Sequence, residues 1–256
     1  MARYWAAFST DAEPEGSYFR RFIEGGGEPA LDAGCGTGRL IIPWLHAGLD
    51  VDGCDVSPDM IALCRERAER EGLAPALYVQ PMHQLDLPRR YRTIVACGAL
   101  GVGSSREQDE QALTRLREHL EPGGTLVLDN EAPYASSRNW RYWLKENRGG
   151  LPLDWHPWGE RQRGSDGAEY RLRTRLLDVD PLSQSVRAEI EAQMWRDGEL
   201  VAEERSPIDL MAYFKDELVM MIERAGFRGV EVRGGYEDDA PTPDHDFLVY
   251  IARAPD

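Results

Sequence analysis

The chain has 256 residues, 42% of them hydrophobic, and a formal net charge of −15. That length suffices for one large α/β domain with an appended element. The charge excludes nucleic acid or an anionic membrane as the expected partner, since neutralising phosphates needs clustered Lys and Arg. No apolar run reaches the roughly eighteen residues that would span a bilayer. The first residues hold too short an apolar core for a secretory signal, so a cytoplasmic location is expected. Cys35, Cys54, Cys64 and Cys97 form no Cys-x-x-Cys pair and have no His at zinc spacing, so no metal is expected.

In chain order, Ser17 to Glu24 reads as a short amphipathic helix. Residues 31–38 then read Leu-Asp-Ala-Gly-Cys-Gly-Thr-Gly: an apolar run, a glycine-rich turn, and a helix-forming stretch from Arg39 to Ala47. A turn this rich in glycine lets backbone approach a ligand closely. The next apolar run, Leu49 to Asp55, ends in a carboxylate placed to accept hydrogen bonds from the two hydroxyls of a ribose, so the ligand reads as a nucleoside. A dinucleotide loop, Gly-x-Gly-x-x-Gly, would need glycine at position 39, which is Arg39; here the third glycine is Gly38. Asp32, two residues before the first glycine, would repel a pyrophosphate but tolerates an ammonium and a sulfonium.

Ser57-Pro58 is an N-cap followed by proline at the first helical position, and that helix runs to Gly72. Ala76 to Gln80 and Thr93 to Cys97 have strand character. Ser104 and Glu107 have capping-box spacing and open a helix that closes near Glu121. Pro122-Gly123-Gly124 turns the chain into a fifth strand, Thr125 to Asn130. This repeated strand–helix order demands a parallel, doubly wound sheet with ligands at the carboxyl ends of its strands. Residues 131–165 are rich in aromatics and turn formers. Residues 168–181 and 185–205 alternate apolar and polar positions, which predicts antiparallel strands, with Asp197-Gly198 as a hairpin turn. A helix from Asp216 to Ala225 and strands near Val230 and from Phe247 to Ala252 close the chain. Arg65 to Arg70 and Arg171 to Arg175 alternate with acids or apolar residues and read as solvated faces.

The loop at 34–38, Asp32, Asp55, the turn Leu120-Glu121-Pro122-Gly123-Gly124-Thr125-Leu126 and the order of elements resemble the class I S-adenosylmethionine-dependent methyltransferases. The layout is similar to the small-molecule type with a β-stranded insertion, such as the amino-sugar N,N-dimethyltransferases. The resemblance implies a seven-stranded, mostly parallel Rossmann-like sheet with an antiparallel β-lid after the fifth strand. Residues 1–29 would form a helical cap, 30–130 the cofactor core, 131–205 the lid, and 206–256 the rest of the core. The implied cofactor is S-adenosyl-L-methionine, with S-adenosyl-L-homocysteine as product. The implied partner is a small-molecule acceptor, and the chain is expected as a monomer or homodimer.

Carried onto this sequence, the methionine end of the cofactor falls to Asp32, Gly34, Cys35, Gly36 and Arg39, with Cys97 and Gly98 from the strand opposite. Asp55 takes the ribose, and Val56 and Met60 pack on adenine. The family often has Gly-Asp-Met after the third strand, the acid bonding the adenine amino group. This sequence has Gln80-Pro81-Met82, so Pro81 and Met82 leave only backbone and apolar contact there, and His83 or Gln84 is available as a substitute. Tyr4, Trp5 and Tyr18 are candidates to cover the cofactor or simply to pack a helix. For the acceptor, Tyr134, Trp140, Trp143 and Trp155 are the candidate binding residues, and Glu131 and His156 the candidate catalytic ones. N-methylation of an amine or amino sugar is the leading reading. O-methylation of a hydroxylated metabolite and a non-catalytic cofactor-binding module remain alternatives.

Overall fold

The computed structural model describes residues 1–9 and 12–256, with 137 and 138 given by backbone alone. In chain order the elements are α1 (Ala2–Phe8), α2 (Glu15–Gly26), β1 (Ala30–Ala33), α3 (Ile41–His46), β2 (Val51–Asp55), α4 (Pro58–Arg70), β3 (Leu77–Val79), β4 (Tyr91–Ala96), α5 (Arg106–Glu118) and β5 (Leu120–Glu131). Then follow α6 (Ser137–Trp140), α7 (Lys145–Arg148), β6 (Gln162–Arg163), β7 (Glu169–Asp180), β8 (Ser185–Arg196), β9 (Glu199–Met211), α8 (Lys215–Arg224), β10 (Arg228–Gly234) and β11 (Phe247–Arg253).

The main sheet has seven strands in the order β10-β11-β5-β4-β1-β2-β3, and β11 is antiparallel to both neighbours. Two apolar layers sandwich it. One packs Leu113 and Leu116 of α5 and Leu218 and Ile222 of α8 on Ile94 and Leu128. The other packs Phe19 and Ile23 of α2, Trp44 of α3 and Ile61 of α4 on Val95 and Val127. Because β1 pairs with both β2 and β4, the chain reverses direction across the sheet at β1/β4, which opens a crevice beyond their carboxyl ends.

Local signals set the helix starts. Ser57 Oγ accepts Met60 N–H at 3.3 Å with Pro58 at the first helical position. The capping box of α5 uses Ser105 and Gln108, one residue later than Ser104 and Glu107. Ser104 instead donates to Asp109 Oδ1 at 2.7 Å, which leaves Ser105 to accept Gln108 N–H.

The insertion is a second, four-stranded sheet in the order β6-β7-β8-β9. Asp197 and Gly198, both at positive φ, make the β8–β9 turn. Along β7 to β9 the even positions turn inward. Tyr170 and Ala192 meet Tyr4 and Ala7 of α1, and Leu176 meets Tyr142. The odd positions carry Arg171, Arg173 and Arg175 opposite Gln193, Glu191 and Glu189. Guanidiniums alternate there with indoles: Arg175 over Trp155 at 4.5 Å, Arg173 over Trp158 at 4.3 Å, and Arg161 over Trp195 at 3.9 Å. Residues 171–175 are therefore a packed ladder of cations, rings and carboxylates rather than a solvated face.

Candidate active site

The glycine-rich turn follows β1 and wraps the crevice. Gly34 has φ +85, and a Cβ there would lie 2.5 Å from Ala99 Cβ, so glycine lets the β1 and β4 loops touch. Gly36 (φ +53) and Gly98 (φ +58) differ: a Cβ on either meets nothing within 4 Å, and both line the cavity. Asp55 ties the loops, its Oδ2 accepting Gly36 N–H at 3.0 Å and its Oδ1 accepting Ser57 N–H at 2.8 Å. Burial pushes the Asp55 carboxyl up.

Asp32 is 2% exposed, and its Oδ2 has no hydrogen-bond partner among the described residues. Desolvation pushes its carboxyl up to about 7, with Asp55 adding to the rise and Arg39 opposing it. An orphaned buried carboxylate is costly, and a cation aimed at it relieves that cost. Arg39 is held to one side by Glu15 at 3.4 Å and by Cys97 Sγ at 3.5 Å.

The cavity encloses about 870 Å³. One end is walled by Asp32, Gly34, Cys35, Gly36 and Arg39, and continues past Asp55, Val56 and Met60 to Pro81 and Met82. Cys97 and Gly98 close it from β4. The sequence thus placed one set of residues that the fold brings together. The other end is walled by Val102, Gly103, Ser104 and Gln108, and roofed by the inward face of the second sheet through Thr174, Ala188, Ile190, Ile208 and Leu210. A backbone bridge between Val102 and Leu210 joins the two.

Of the remaining candidates, His83 also lines this cavity, while Tyr4, Tyr18, Glu131, Tyr134, Trp140, Trp143, Trp155 and His156 are not among its described lining residues. Tyr4 sets its ring edge-on to Tyr170 at 5.5 Å, and its neighbour Trp5 faces the cavity instead. Tyr18 packs on Phe19, Phe22 and Tyr236. Glu131, at the exposed end of β5, pairs with Phe247 of β11. Tyr134 is 38% exposed. Trp140 and Trp143 stack on each other at 5.4 Å, and Trp143 continues into the cluster around Leu176. Residues 153–159 run along the edge of β7, with His156 N–H donating to Thr174 O at 3.0 Å and Gly159 N–H to Leu172 O at 3.0 Å. That pairing carries Trp155 onto the arginine ladder outside the lid, and carries His156 along the β7 edge with it. Trp155 and Trp158 therefore brace the outer face of the lid, while Trp143 packs beside the inward-turned Leu176.

Sequence reasoning missed Asp129. It is buried at the end of β5 and accepts from Gly98 N–H, from Cys97 Sγ at 3.3 Å and from Tyr236 Oη at 2.6 Å, so it fixes the β4 loop against the cavity. It also missed Asp109, whose carboxylate accepts from Ser104 at 2.7 Å, Gly101 N–H at 3.3 Å and Tyr213 Oη at 2.6 Å. A carboxylate closing the apolar run Leu126-Val127-Leu128 was the available signal for Asp129, whereas Asp109 lies among the polar residues 106–111 and carried none. The inward lid residues were visible as a period-two series, but nothing in the series said what they would face.

A sheet of this order, with a glycine cradle at the β1/β4 switch point between one orphaned and one loop-binding carboxylate, is similar to the arrangement that the resemblance to the class I S-adenosylmethionine-dependent methyltransferases implies. Residues 30–124 match the family described as methyltransferase domain. The chain is 32% identical to the ribosomal protein L11 methyltransferase of Azotobacter vinelandii over 127 residues, covering 48% of this chain and 41% of that one. It is 27% identical to the ubiquinone biosynthesis O-methyltransferase of a Bradyrhizobium species over 154 residues, 57% of each. The chain thus spans about half the length of these curated relatives. Among solved structures it is similar to the CcbJ methyltransferase of Streptomyces caelestis, with TM-score 0.69, 25% identity, and 94% and 96% of the two chains covered. It shares its fold with the sugar N-methyltransferase KedS8 of a Streptoalloteichus species, with TM-score 0.73, 18% identity, and 99% and 92% covered.

The cradle fits that cofactor. Asp32 Oδ2 is a buried acceptor with no partner among the described residues, which an ammonium would satisfy, and Gly36 and Gly98 leave open the space that a Cβ would fill. No helix among the described residues is long and apolar enough to cross a membrane.

Proposed function

We propose that the protein transfers the methyl group of S-adenosylmethionine to a nitrogen of a small amine or amino sugar held under the β-lid. The observation that carries this reading is one continuous cavity, joining the glycine cradle to an apolar roof at Ala188, Ile190, Ile208 and Leu210. The cofactor supplies an already electrophilic methyl group. The protein's task is then to align the nucleophile and keep water out. Asp32 and Asp55 hold the two polar ends of the cofactor and fix the direction of the methyl. The lid supplies an apolar wall on which the acceptor's body rests.

Nitrogen is favoured because, among the described residues, the cavity holds no carboxylate free to act as a base near the lid. Asp109 already accepts from three donors, and Asp32 and Asp55 are committed to the cofactor. A neutral amine needs no base in its attack, since it sheds its proton to solvent first. His83 favours a second reading. It lines the cavity, with Nε2 at 3.2 Å from Gln84 Nε2 and 3.5 Å from Gln108 Nε2, and there it could deprotonate a hydroxyl. The test is incubation with S-adenosylmethionine and a panel of amines, amino sugars and phenols, with products located by fragmentation mass spectrometry. N-methylated product that survives in His83→Ala with a modest deficit supports the first reading. O-methylated product lost in that variant overturns it.

A further inference from the structure

A second cavity, of about 540 Å³, lies behind the glycine loop. Its walls come from α1 (Arg3, Ala6, Ala7), α4 (Leu63, Glu66, Arg67, Arg70) with the following Glu71, and the lid (Arg163 to Asp166, Tyr170, Arg196). Five guanidiniums thus face three carboxylates, in a chain whose net charge is −15. Two of the acids are already engaged. Glu71 pairs with His46 at 2.6 Å and with Arg67 at 3.3 Å. Asp166 accepts from Tyr170 Oη at 2.7 Å and from Ala168 N–H at 3.1 Å, with Arg196 at 3.7 Å. Glu66 is the third. Arg3, Arg70 and Arg163 have no carboxylate within ion-pair distance among the described residues. They come from three separate elements around one concavity, an arrangement that local helix or hairpin pairing does not produce.

We propose that this cavity binds a small phosphate-bearing molecule. Guanidinium forks match phosphate oxygens in geometry as well as charge, and converging forks strengthen each other's hold on one anion. A carboxylate fits less well, because it offers two acceptor oxygens in one plane where a phosphate offers three to forks that converge from separate elements. Thr37 belongs to the walls of both cavities, so the anion would sit against the back of the cofactor loop, outside the cofactor's own volume. The proposal is independent of the methyl-transfer reading.

The test is calorimetric titration with inorganic pyrophosphate, matched in ionic strength against chloride. Saturable binding is expected in the wild type. It should weaken by about tenfold or more in Arg70→Gln/Arg163→Gln, through loss of charge-assisted hydrogen bonds. Arg3→Gln, on a different helix, is the second variant, and each is checked for a wild-type melting profile. Adding S-adenosylhomocysteine at saturation should leave pyrophosphate binding in place. No saturable binding, or equal affinity in both variants, overturns the proposal. So does competition with S-adenosylhomocysteine, which would put the anion in the cofactor cavity.

Discussion

Asp32 shows how one residue can carry both a cost and a function. Its folded carboxyl titrates near 7 against an ordinary 3.8, chiefly through burial. The folded state therefore holds the proton more tightly than the unfolded chain does. The residue's contribution to stability is complete below about pH 4 and is lost as the pH rises through about 7. Cofactor binding pulls the other way, since an ammonium facing Oδ2 favours the ionised form. Binding below pH 7 should release a proton, and affinity should fall by up to about tenfold per pH unit on the acid side. Calorimetry in buffers of differing ionisation enthalpy reads that proton directly, and Asp32→Asn should flatten the profile. A flat wild-type profile would place the ammonium elsewhere. At the opposite end, Asp55→Ala removes both the proposed ribose acceptor and the tie from Gly36 N–H, and should cost about 1.5–3 kcal/mol of cofactor affinity by calorimetry. Both carboxylates were legible in the sequence because the glycine spacing fixes what lies beside them. Asp129 and Asp109 were not, since their donors come from Tyr236 and Tyr213, more than a hundred residues further along the chain.

At the scale of elements, the helices of the core were readable from their own start and stop signals: Ser57-Pro58 opening α4, Gly72 after its end, and Gly226, at φ +96, after α8. The lid strands were readable from their alternation, but which face would meet the cofactor was not. Residues 131–165 were the segment the sequence left open between lining the pocket and packing the lid. Their aromatics look the same in sequence whether they line a pocket or brace a sheet, and the deciding contact, backbone pairing of residues 153–159 to β7, leaves no local trace. The brace has its own buried centre. Glu191 is 0% exposed between Arg173 and Arg205, with Arg205 Nε at 2.6 Å. Removing one member of a buried ion pair costs about 3–5 kcal/mol, and less where the partners reach solvent, as Arg205 does. Glu191→Gln should therefore lower the melting temperature measurably and raise amide exchange across β7 and β8. Unchanged exchange there would show that the indoles alone hold the ladder.

Across the whole molecule, core and lid are joined at a few points. Tyr213 follows β9 and ends on Asp109 of α5, and Arg106 of α5 reaches Gln184 in the β7–β8 turn at 2.6 Å and Glu217 of α8. These ties fix the roof of the cavity relative to the cradle, so each end can be perturbed separately. Ala188 lies on the inward face of β8 and lines the cavity opposite the β4 loop. Ala188→Phe places a ring in the space assigned to the acceptor, while Asp32, Asp55 and the glycine loop stay unaltered. The acceptor's KM should then rise by about tenfold or more, or turnover should vanish, while S-adenosylhomocysteine affinity holds within about twofold. Trp143→Ala and Trp155→Ala serve as the contrast: each removes a large ring outside the cavity and should lower stability without separating the two parameters. If Trp155→Ala raises the acceptor's KM and Ala188→Phe does not, the acceptor enters along the outer edge of β7, and the lid's inward face is only packing.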